Sequence, residues 1–316
     1  MSLGAFDPAE QRALAQLQGR IGAAHLQQRL LREAARPAGA RLSHRLIRAG
    51  LTLAGLRGRG RRNLLNIQLR QHTVPLARLP AALDGTTVLQ LSDPHLDTDP
   101  ELLDHLIERL QGLRFDACVL TGDFRFHHHG SSRALHDALE RLRPHLGERV
   151  HAVLGNHDSI RMVAGMEQRG YAVLLNEAVR WQFEGGALAL AGIDDAHHFR
   201  THDLGRALQG VAPTECVLLL SHTPEPYRQA AAAGVDLMLC GHTHGGQVCL
   251  PGGIPILTDT PAPRAYVRGP WRHGALAGYT SVGCGASVVD VRLNCLPEIT
   301  LHHLRCVRPS ADLREP

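Results

Sequence analysis

The chain has 316 residues, a formal net charge of +4 and an aromatic content of 4%. This length suits one catalytic domain of about 230 to 250 residues behind an N-terminal region. Its seven cysteines are scattered and without CxxC spacing, which argues against a disulfide framework or a zinc ribbon and favours a reducing compartment.

Residues 1–70 are predicted to form a basic helical extension, followed by a catalytic domain over residues 71–316. Residues 1–75 contain 13 arginines and three acidic residues, so a basic region precedes an acidic remainder. The start of the chain lacks the pattern of a signal peptide, and the apolar run at residues 49–56 is too short to span a bilayer. We expect a cytoplasmic protein, with peripheral binding to the inner face of the cytoplasmic membrane left open.

A helical stripe of apolar residues runs through the extension. It consists of Leu42, Leu46, Ala49, Leu53 and Leu56, with arginines on the opposite side. Such a basic amphipathic helix can lie on an anionic membrane surface. Alternatively, the stripe packs on the catalytic domain and the arginines are only solvated, and the sequence leaves both interpretations open.

Strands and helices alternate from about Asn66 or Val74 onwards. Strands are predicted at residues 87–91, 117–120 and 150–154, and later at 187–191, 216–220 and 237–240. A helix should begin at Asp99-Pro100, a typical cap and first residue, and a second helix should cover residues 132–146. The βαβαβ order of the first half predicts parallel strands.

Five short motifs carry metal-binding side chains, and each follows a predicted strand. They are Asp93-Pro94-His95, Gly122-Asp123, Gly155-Asn156-His157-Asp158, Ser221-His222 and Gly241-His242-Thr243-His244-Gly245-Gly246-Gln247. Ligands of open α/β sheets collect at the carboxyl ends of strands. We therefore expect the five motifs to converge on one rim.

The residue types favour a site for two metal ions. Asp93 and His95 are two residues apart, and if the strand pleat persists they point to one side and hold one ion. Asp123 is a lone carboxylate that suits bridging. The mixed nitrogen and oxygen donors favour Mn, Fe, Zn or Co over Ca or Mg, and we expect Mn. Two ions roughly 3.5–4 Å apart lower the pKa of a bridging water and clamp phosphoryl oxygens, which predicts in-line attack on phosphorus.

Taken singly, most motifs have a plainer explanation. Asp-x-His is common by chance, and Gly-Asp after a strand is often a turn. Asn156 could cap a helix that begins at Ser159, and His222 alone is more typical of a core histidine. The two histidines between glycines at residues 241–247 have no such explanation. The occurrence of all five motifs in this order argues against coincidence.

With these motifs in this order, the chain resembles the calcineurin-like metallophosphoesterases over residues 87–304. The resemblance implies a four-layer α/β/β/α sandwich. It also implies a first ion held by Asp93, His95, Asp123 and His244, and a second held by Asp123, Asn156, His222 and His242. His157 would not be a ligand but would stabilise or protonate the leaving oxygen of the substrate.

One departure from the family pattern narrows the substrate. The family's protein phosphatases have Gly-Asp-x-x-Asp-Arg-Gly, but Phe126 replaces the second Asp, which would orient the catalytic histidine. A phosphoprotein phosphatase is therefore disfavoured, and Asp158 is expected to orient His157 instead. Arg125 could clamp a phosphate, with His127 as a further substrate contact.

Two polar tracts near the motifs are interpreted more plainly. His128 and His129 are expected to be solvated. Residues 194–198, which include two aspartates and two histidines, resemble a metal cluster but are expected to form a loop beside the site.

The residues after His244, together with Gly283-Cys284-Gly285, resemble a bacterial branch of the family that includes UDP-diacylglucosamine pyrophosphohydrolases. The resemblance implies hydrolysis of a phosphodiester or pyrophosphate bond in a lipid-linked or nucleotide-conjugate substrate. The alternatives are a small-molecule phosphomonoesterase, a nuclease, which the lack of interleaved aromatics in the arm disfavours, and a non-catalytic membrane-bound scaffold, which the complete motifs disfavour. Nucleic acid is thus a disfavoured partner, and the sequence gives no oligomeric state.

Overall fold

The computed structural model describes residues 8–36, 42–128 and 130–307. His129, interpreted above as solvated, lies outside them. The helices are α1 (Pro8–Ile21), α2 (Ala23–Ala34), α3 (Leu42–Leu53), α4 (Arg57–Leu65), α5 (Pro100–Leu110), α6 (Arg133–Leu142), α7 (Val163–Glu167), α8 (Leu204–Ala207) and α9 (Tyr227–Ala232).

The strands of the described residues are mostly short. They are β1 (Gln68–Leu76), β2 (Thr87–Leu91), β3 (Ala117–Thr121), β4 (Val150–Val153), β5 (Ala172–Val173), β6 (Glu177–Phe183), β7 (Gly186–Gly192), β8 (Val217–Leu220), β9 (Leu237–Cys240), β10 (Cys249–Leu250), β11 (Ile254–Pro255), β12 (Gly269–His273), β13 (Leu276–Thr280) and β14 (Glu298–Cys306).

Twelve of these strands form two six-stranded sheets. The first sheet has the order β1-β14-β2-β3-β4-β5, and the second has the order β12-β13-β9-β8-β7-β6. Strands β2, β3 and β4 are parallel, as the βαβαβ pattern predicts. Strands β7, β8 and β9 are also parallel, so the carboxyl ends of the central strands of each sheet lie at one rim.

Successive residues of the strands face different cores, because side chains alternate across a sheet. Leu89 of β2 packs with Leu106 of α5 on the outer face of the first sheet. Val88 faces the other way, into a core shared with the strands of the second sheet. Leu219 of β8 packs with Tyr227 of α9 on the outer face of the second sheet. The layers are therefore helix, sheet, sheet and helix, and the predicted four-layer sandwich is confirmed.

The second predicted helix is shorter than expected. Helix α6 ends at Leu142 and a 3₁₀ turn follows over Arg143–His145, because Pro144 lacks the N–H that an α-helix needs. The predicted start of α5 is confirmed, since the carboxylate of Asp99 accepts hydrogen bonds from the amides of Glu101 and Leu102 and Pro100 is the first helical residue.

The N-terminal region is helical, as predicted, but its helices differ in their packing. Leu14, Ile21 and Leu26 of α1 and α2 belong to the same core as α5 and α6. In α3, by contrast, Leu46 is 64% exposed and Leu53 is 89% exposed. The packing of the stripe on the domain is therefore not observed at these residues. Among the described helices, none has the length and apolar character to cross a membrane, and the boundary at residue 70 stays a prediction.

Candidate metal centre

All seven expected ligands come together where the ends of the two sheets meet. The ligand atoms of Asp93, His95 and His244 lie within 4.8 Å of one another, and so do those of Asp123, His222 and His242. The seventh side chain completes the second group, because Asn156 Oδ1 is 2.9 Å from His222 Nε2.

Asp123 lies between the two groups. Its Oδ1 is 3.4 Å from His222 Nε2, and its Oδ2 is 3.9 Å from His95 Nε2 in the other group. The carboxylate is 2% exposed. One carboxylate therefore faces both clusters of nitrogen and oxygen donors.

Tight turns, and not strand pleating, aim the ligands. Asp93, His95, Asp123, His242 and His244 all have positive φ, between 44° and 72°. This left-handed conformation is uncommon for residues with a side chain, and such strain gathers at functional sites. Because β2 ends at Leu91, the expectation that the pleat persists through Asp93 and His95 is wrong.

Backbone carbonyls fix the orientation of three imidazoles. His95 donates through Nδ1 to Arg125 O (3.0 Å), His222 through Nδ1 to Thr121 O (2.8 Å) and His242 through Nε2 to Asp259 O (2.6 Å). Each donation uses one ring nitrogen and directs the other into its ligand cluster. Metal-binding histidines in proteins are held in this way, so the donors present fit divalent metal ions.

Charge is concentrated where the two groups meet. Burial disfavours protonation of His222, but the carboxylates of Asp123 and Asp93 outweigh it and raise the pKa of His222 to about 10. Burial also acts against ionisation of Asp123, but the charge of His222 holds its pKa well below the usual range. A proton therefore occupies this cluster when no cation does, and metal binding would release it.

The two histidines of the last motif are neutral by contrast. Burial, followed by the charge of His222, lowers the pKa of His242 to about 4. Burial and the nearby guanidinium of Arg292 hold the pKa of His244 well below its usual range. Neutral imidazole is the form that binds metals.

His157 is held by a backbone carbonyl, not by a carboxylate. Its Nδ1 donates to Phe126 O at 2.7 Å, and its Nε2 faces Asp123 Oδ2 at 4.0 Å. The expectation that Asp158 orients His157 is wrong. The residue that replaces the family's aspartate, Phe126, supplies the orienting oxygen from its main chain.

Asp158 holds the backbone of two ligand loops together instead. Its Oδ1 accepts hydrogen bonds from the amides of Phe124 (2.9 Å) and Arg125 (3.2 Å), and its Oδ2 accepts from the amide of Gly155 (2.8 Å). Burial and then the charge of Asp123 raise the pKa of Asp158 to about 7. The carboxylate thus links the loop after β3 to the loop after β4.

The expected substrate contacts lie in different surroundings. Arg125 is 3% exposed. Burial, then the charge of Arg169 and lastly that of Arg125 lower the pKa of His136 on α6. His127 is exposed. Both stay predictions as substrate contacts. His128 is not solvated as expected, because it is half-buried and its ring centroid is 4.1 Å from that of His157.

The tract at residues 194–198 forms a loop beside the site, as predicted. The ring of His197 is 4.4 Å from that of His242, and its Nδ1 is 2.6 Å from Glu225 Oε1. Asp195 accepts from the backbone amides of His197, His198 and Phe199 and so shapes the turn.

The sequence interpretation missed Arg292. This fully buried residue donates to the carbonyls of Val282, Gly283 and Gly285, and its Nη2 is 3.1 Å from His244 Nδ1. An isolated arginine between Val291 and Leu293 carries no local signal of such a role.

Comparison with known proteins adds an independent line of evidence. A family model described as calcineurin-like phosphoesterase matches residues 86–246. The chain is 31% identical over 230 residues to the uncharacterised metallophosphoesterase YkoQ of Bacillus subtilis, covering 69% of this chain and 83% of that protein. It is 28% identical over 256 residues to YkuE of the same organism, covering 76% and 86%. A bovine transmembrane protein with a metallophosphoesterase domain is 31% identical over 254 residues, covering 72% and 54%.

Proposed function

Because the chain belongs to the calcineurin-like phosphoesterases, metal-dependent hydrolases of phosphoric esters, we propose that it cleaves phosphodiester or pyrophosphate bonds at a centre of two divalent ions. The observation that carries the proposal is the pair of ligand groups with Asp123 between them. The mixed nitrogen and oxygen donors favour Mn, Fe, Zn or Co over Ca or Mg, and Mn is the ion proposed. When bound, the ions would supply an acidified water and positive charge for the phosphoryl oxygens.

His157 is the proposed proton donor to the leaving oxygen. Its Nδ1 proton is committed to Phe126 O, so Nε2 is the nitrogen that would carry the proton for transfer. Burial holds the pKa of His157 well below its usual range, and the proposal therefore requires that bound substrate raises this pKa. Nε2 lies on the side of the ring that faces Asp123. A positioned imidazole of this kind typically contributes about 10²–10⁴-fold to the rate.

The direct test is hydrolysis of bis(p-nitrophenyl) phosphate by the Mn²⁺-loaded protein. We expect metal-dependent turnover in the wild type and none in Asp123→Ala. Asp137→Ala, at an exposed position of α6, is the matched control and should keep full activity. A wild-type protein that binds Mn²⁺ but cleaves no diester, pyrophosphate or monoester would contradict the proposed function.

We further propose that the substrate carries a lipid. A short hairpin of β10 and β11 with the residues that follow it presents four exposed apolar side chains, Leu250, Ile254, Ile256 and Leu257. This hairpin adjoins the metal site, since a Cβ on Gly246 would meet Pro255 and His242 donates to Asp259 O. An apolar edge beside a phosphate-binding centre suits a lipid-linked phosphate better than a wholly polar substrate.

The second support for a lipid is the exposed stripe on α3. Segment 290–294 connects α3 to the hairpin, because Asp290 pairs with Arg48 at 3.7 Å and Asn294 donates to Cys249 O. Helix α3 has arginines and no acidic residue, so its charge complements anionic lipids. The bovine relative is named as a transmembrane protein. We propose peripheral binding to an anionic membrane through this side of the molecule.

Flotation with vesicles of phosphatidylglycerol and phosphatidylcholine tests the membrane proposal. The Leu46→Gln, Leu53→Gln double variant should lose most of the vesicle-bound fraction, because each leucine contributes about 1.5–3 kcal/mol on burial. Leu31→Gln replaces a leucine of α2 that is 49% exposed and should bind like the wild type. Equal flotation of all three proteins would show that α3 is not the membrane contact.

A substrate panel separates the remaining alternatives. The Mn²⁺-loaded protein should cleave lipid-linked nucleotide diphosphates faster than soluble diesters, monoesters or DNA. Faster cleavage of p-nitrophenyl phosphate would favour the phosphomonoesterase, and cleavage of DNA would favour the nuclease.

A further inference from the structure

Helix α2 forms the outer wall of the loop that carries Asn156 and His157. Two of its side chains, Arg29 and Glu33, are four residues apart and lie on one face of the helix. Arg36, which follows the helix, comes three residues later. Arg29 has no exposed surface. A fully buried arginine is costly to bury unless its donors are satisfied, so its contacts indicate what it does.

The guanidinium of Arg29 joins two loops of the site. Its Nη2 donates to Asp158 O at 2.9 Å and approaches Gly155 O at 3.5 Å. Its Nη1 is 3.4 Å from the buried carboxylate of Asp194, and its Cζ lies 3.5 Å from the ring centroid of Phe199. One side chain therefore contacts the loop after β4 and the loop after β7.

The neighbouring side chains extend this contact along the first of these loops. Glu33 accepts from the amide of Ile160 and from the hydroxyl of Ser159, both at 2.7 Å. Arg36 donates to the carbonyl of Asn156. Helix α2 and Arg36 after it thus hold residues 155–160 through backbone carbonyls, one backbone amide and the hydroxyl of Ser159.

The opposite side of the same loop is held by the site itself. The amide of His157 donates to Asp123 Oδ1 at 2.8 Å, and the amide of Gly155 donates to Asp158 Oδ2 at 2.8 Å. The peptide groups are therefore fixed from both faces. Rotation of any of them would move the side chains of Asn156 and His157.

We propose that Arg29 is a positioning residue for Asn156 and His157, so that the N-terminal helix completes the second half of the metal site. The proposal deepens the function proposed above and rests on it for the two-ion centre. Outer contacts that orient ligands typically change metal affinity or activity about 10–100-fold.

The test is a titration of the full chain with Mn²⁺ by calorimetry, together with kcat and KM for bis(p-nitrophenyl) phosphate. Arg29→Lys keeps a positive charge for Asp194 but loses the planar fork that reaches both loops. We expect one Mn²⁺ to bind as in the wild type, the other about 10–100-fold more weakly, and kcat to fall while KM changes little. A general loss of stability would weaken both ions together.

Arg20→Lys is the matched control. Arg20 belongs to α1 and pairs with Glu167 and Glu177 at 2.6 and 2.9 Å, away from residues 155–160. We expect it to bind both ions like the wild type. If Arg29→Lys does not fold, Arg36→Gln removes the contact with Asn156 O and should selectively weaken the same ion.

The outcomes separate the two proposals. A wild type that binds fewer than two Mn²⁺ contradicts the proposed function. A wild type that binds two, with unchanged affinities and kcat in Arg29→Lys or in the substitute Arg36→Gln, contradicts only the positioning role. Equal losses in Arg29→Lys and Arg20→Lys also contradict it.

Discussion

At the scale of single residues, the site depends on atoms that sequence motifs do not display. The seven expected ligands follow from their motifs, but their orientation comes from the main-chain oxygens of Arg125, Thr121 and Asp259. Any residue type supplies such a carbonyl. The same reason explains why Phe126 O, and not Asp158, proves to hold His157.

Asp158→Asn tests the structural role of this carboxylate. An asparagine amide group would face a backbone N–H that now donates to the carboxylate, so at least one donor loses its partner. We expect a loss of about 1–3 kcal/mol in the free energy of unfolding, measured by urea denaturation of the metal-free protein. Asp137→Asn on α6 should change little.

The same variant distinguishes the two roles considered for Asp158. Since its carboxylate does not contact His157, the shape of the pH profile of kcat should be unchanged even if the rate falls. A shifted profile would restore Asp158 as the residue that orients the proton donor.

His151 should make stability depend on pH. Burial and then the charge of Arg149 lower its pKa to about 4, and Trp181 donates to its unprotonated Nδ1 at 3.2 Å. Because the folded state resists protonation, its contribution is present above about pH 6.5 and is lost as the pH falls towards 4. We expect the loss to reach about 3 kcal/mol.

Urea denaturation of the metal-free protein at several pH values measures this loss of unfolding free energy. His151→Gln should be less sensitive over the same interval, because glutamine does not titrate. His105→Gln, on α5, should keep the wild-type dependence. An identical pH dependence of all three proteins would exclude His151 as the source.

At the scale of elements, the sequence predicts local structure well and long-range pairing poorly. Strands β2, β3, β4, β7, β8 and β9 and the start of α5 follow from apolar runs and a cap, whereas β5 and β6 are not predicted. The pairing of β1 with β14 joins Gln68 to Glu298, and nothing in either segment identifies the other. The packing of α1 and α2 does not follow from the sequence, because an arginine-rich helix carries no local sign that one of its faces is buried.

Asp99→Ala tests the predicted helix start. Asp99 accepts from two amides of the first turn of α5 and also pairs with Arg61. Loss of a cap of this kind typically costs about 1 kcal/mol of unfolding free energy. Glu101→Ala is a matched control, because Glu101 pairs with the same arginine but does not cap the helix, and its effect should be close to zero. If both variants lose the same unfolding free energy, the loss comes from the ion pair with Arg61 and not from the cap.

At the scale of the whole molecule, the centre depends on how closely the two sheets approach at their common rim. Gly241 follows β9 of the second sheet, and a Cβ at this position would overlap Ser92 Oγ and Asp93 Oδ2 after β2 of the first sheet. Because Gly241 has no side chain, the loop that carries Asp93 and His95 can approach the loop that carries His242 and His244.

Gly241→Ala should therefore push the loop after β9 away from the loop after β2. We expect Mn²⁺ affinity to fall at least about 10-fold, measured by calorimetry. Gly205→Ala places the same methyl group in α8, where its nearest neighbour is Asp203 Oδ1 at 3.6 Å, and should bind Mn²⁺ normally. Normal binding by Gly241→Ala would show that these two loops can separate without loss of Mn²⁺ affinity.

The position of β14 has a consequence for the order in which the protein can fold during synthesis. This last strand lies between β1 and β2, so those two early strands cannot join one sheet until residues 298–306 have left the ribosome. Pairing over such a separation is slow, and the uncovered strand edges are open to aggregation meanwhile. The chain should therefore complete its first sheet only once residues 298–306 have emerged, and a ribosome stalled before residue 298 should carry a protease-sensitive nascent chain.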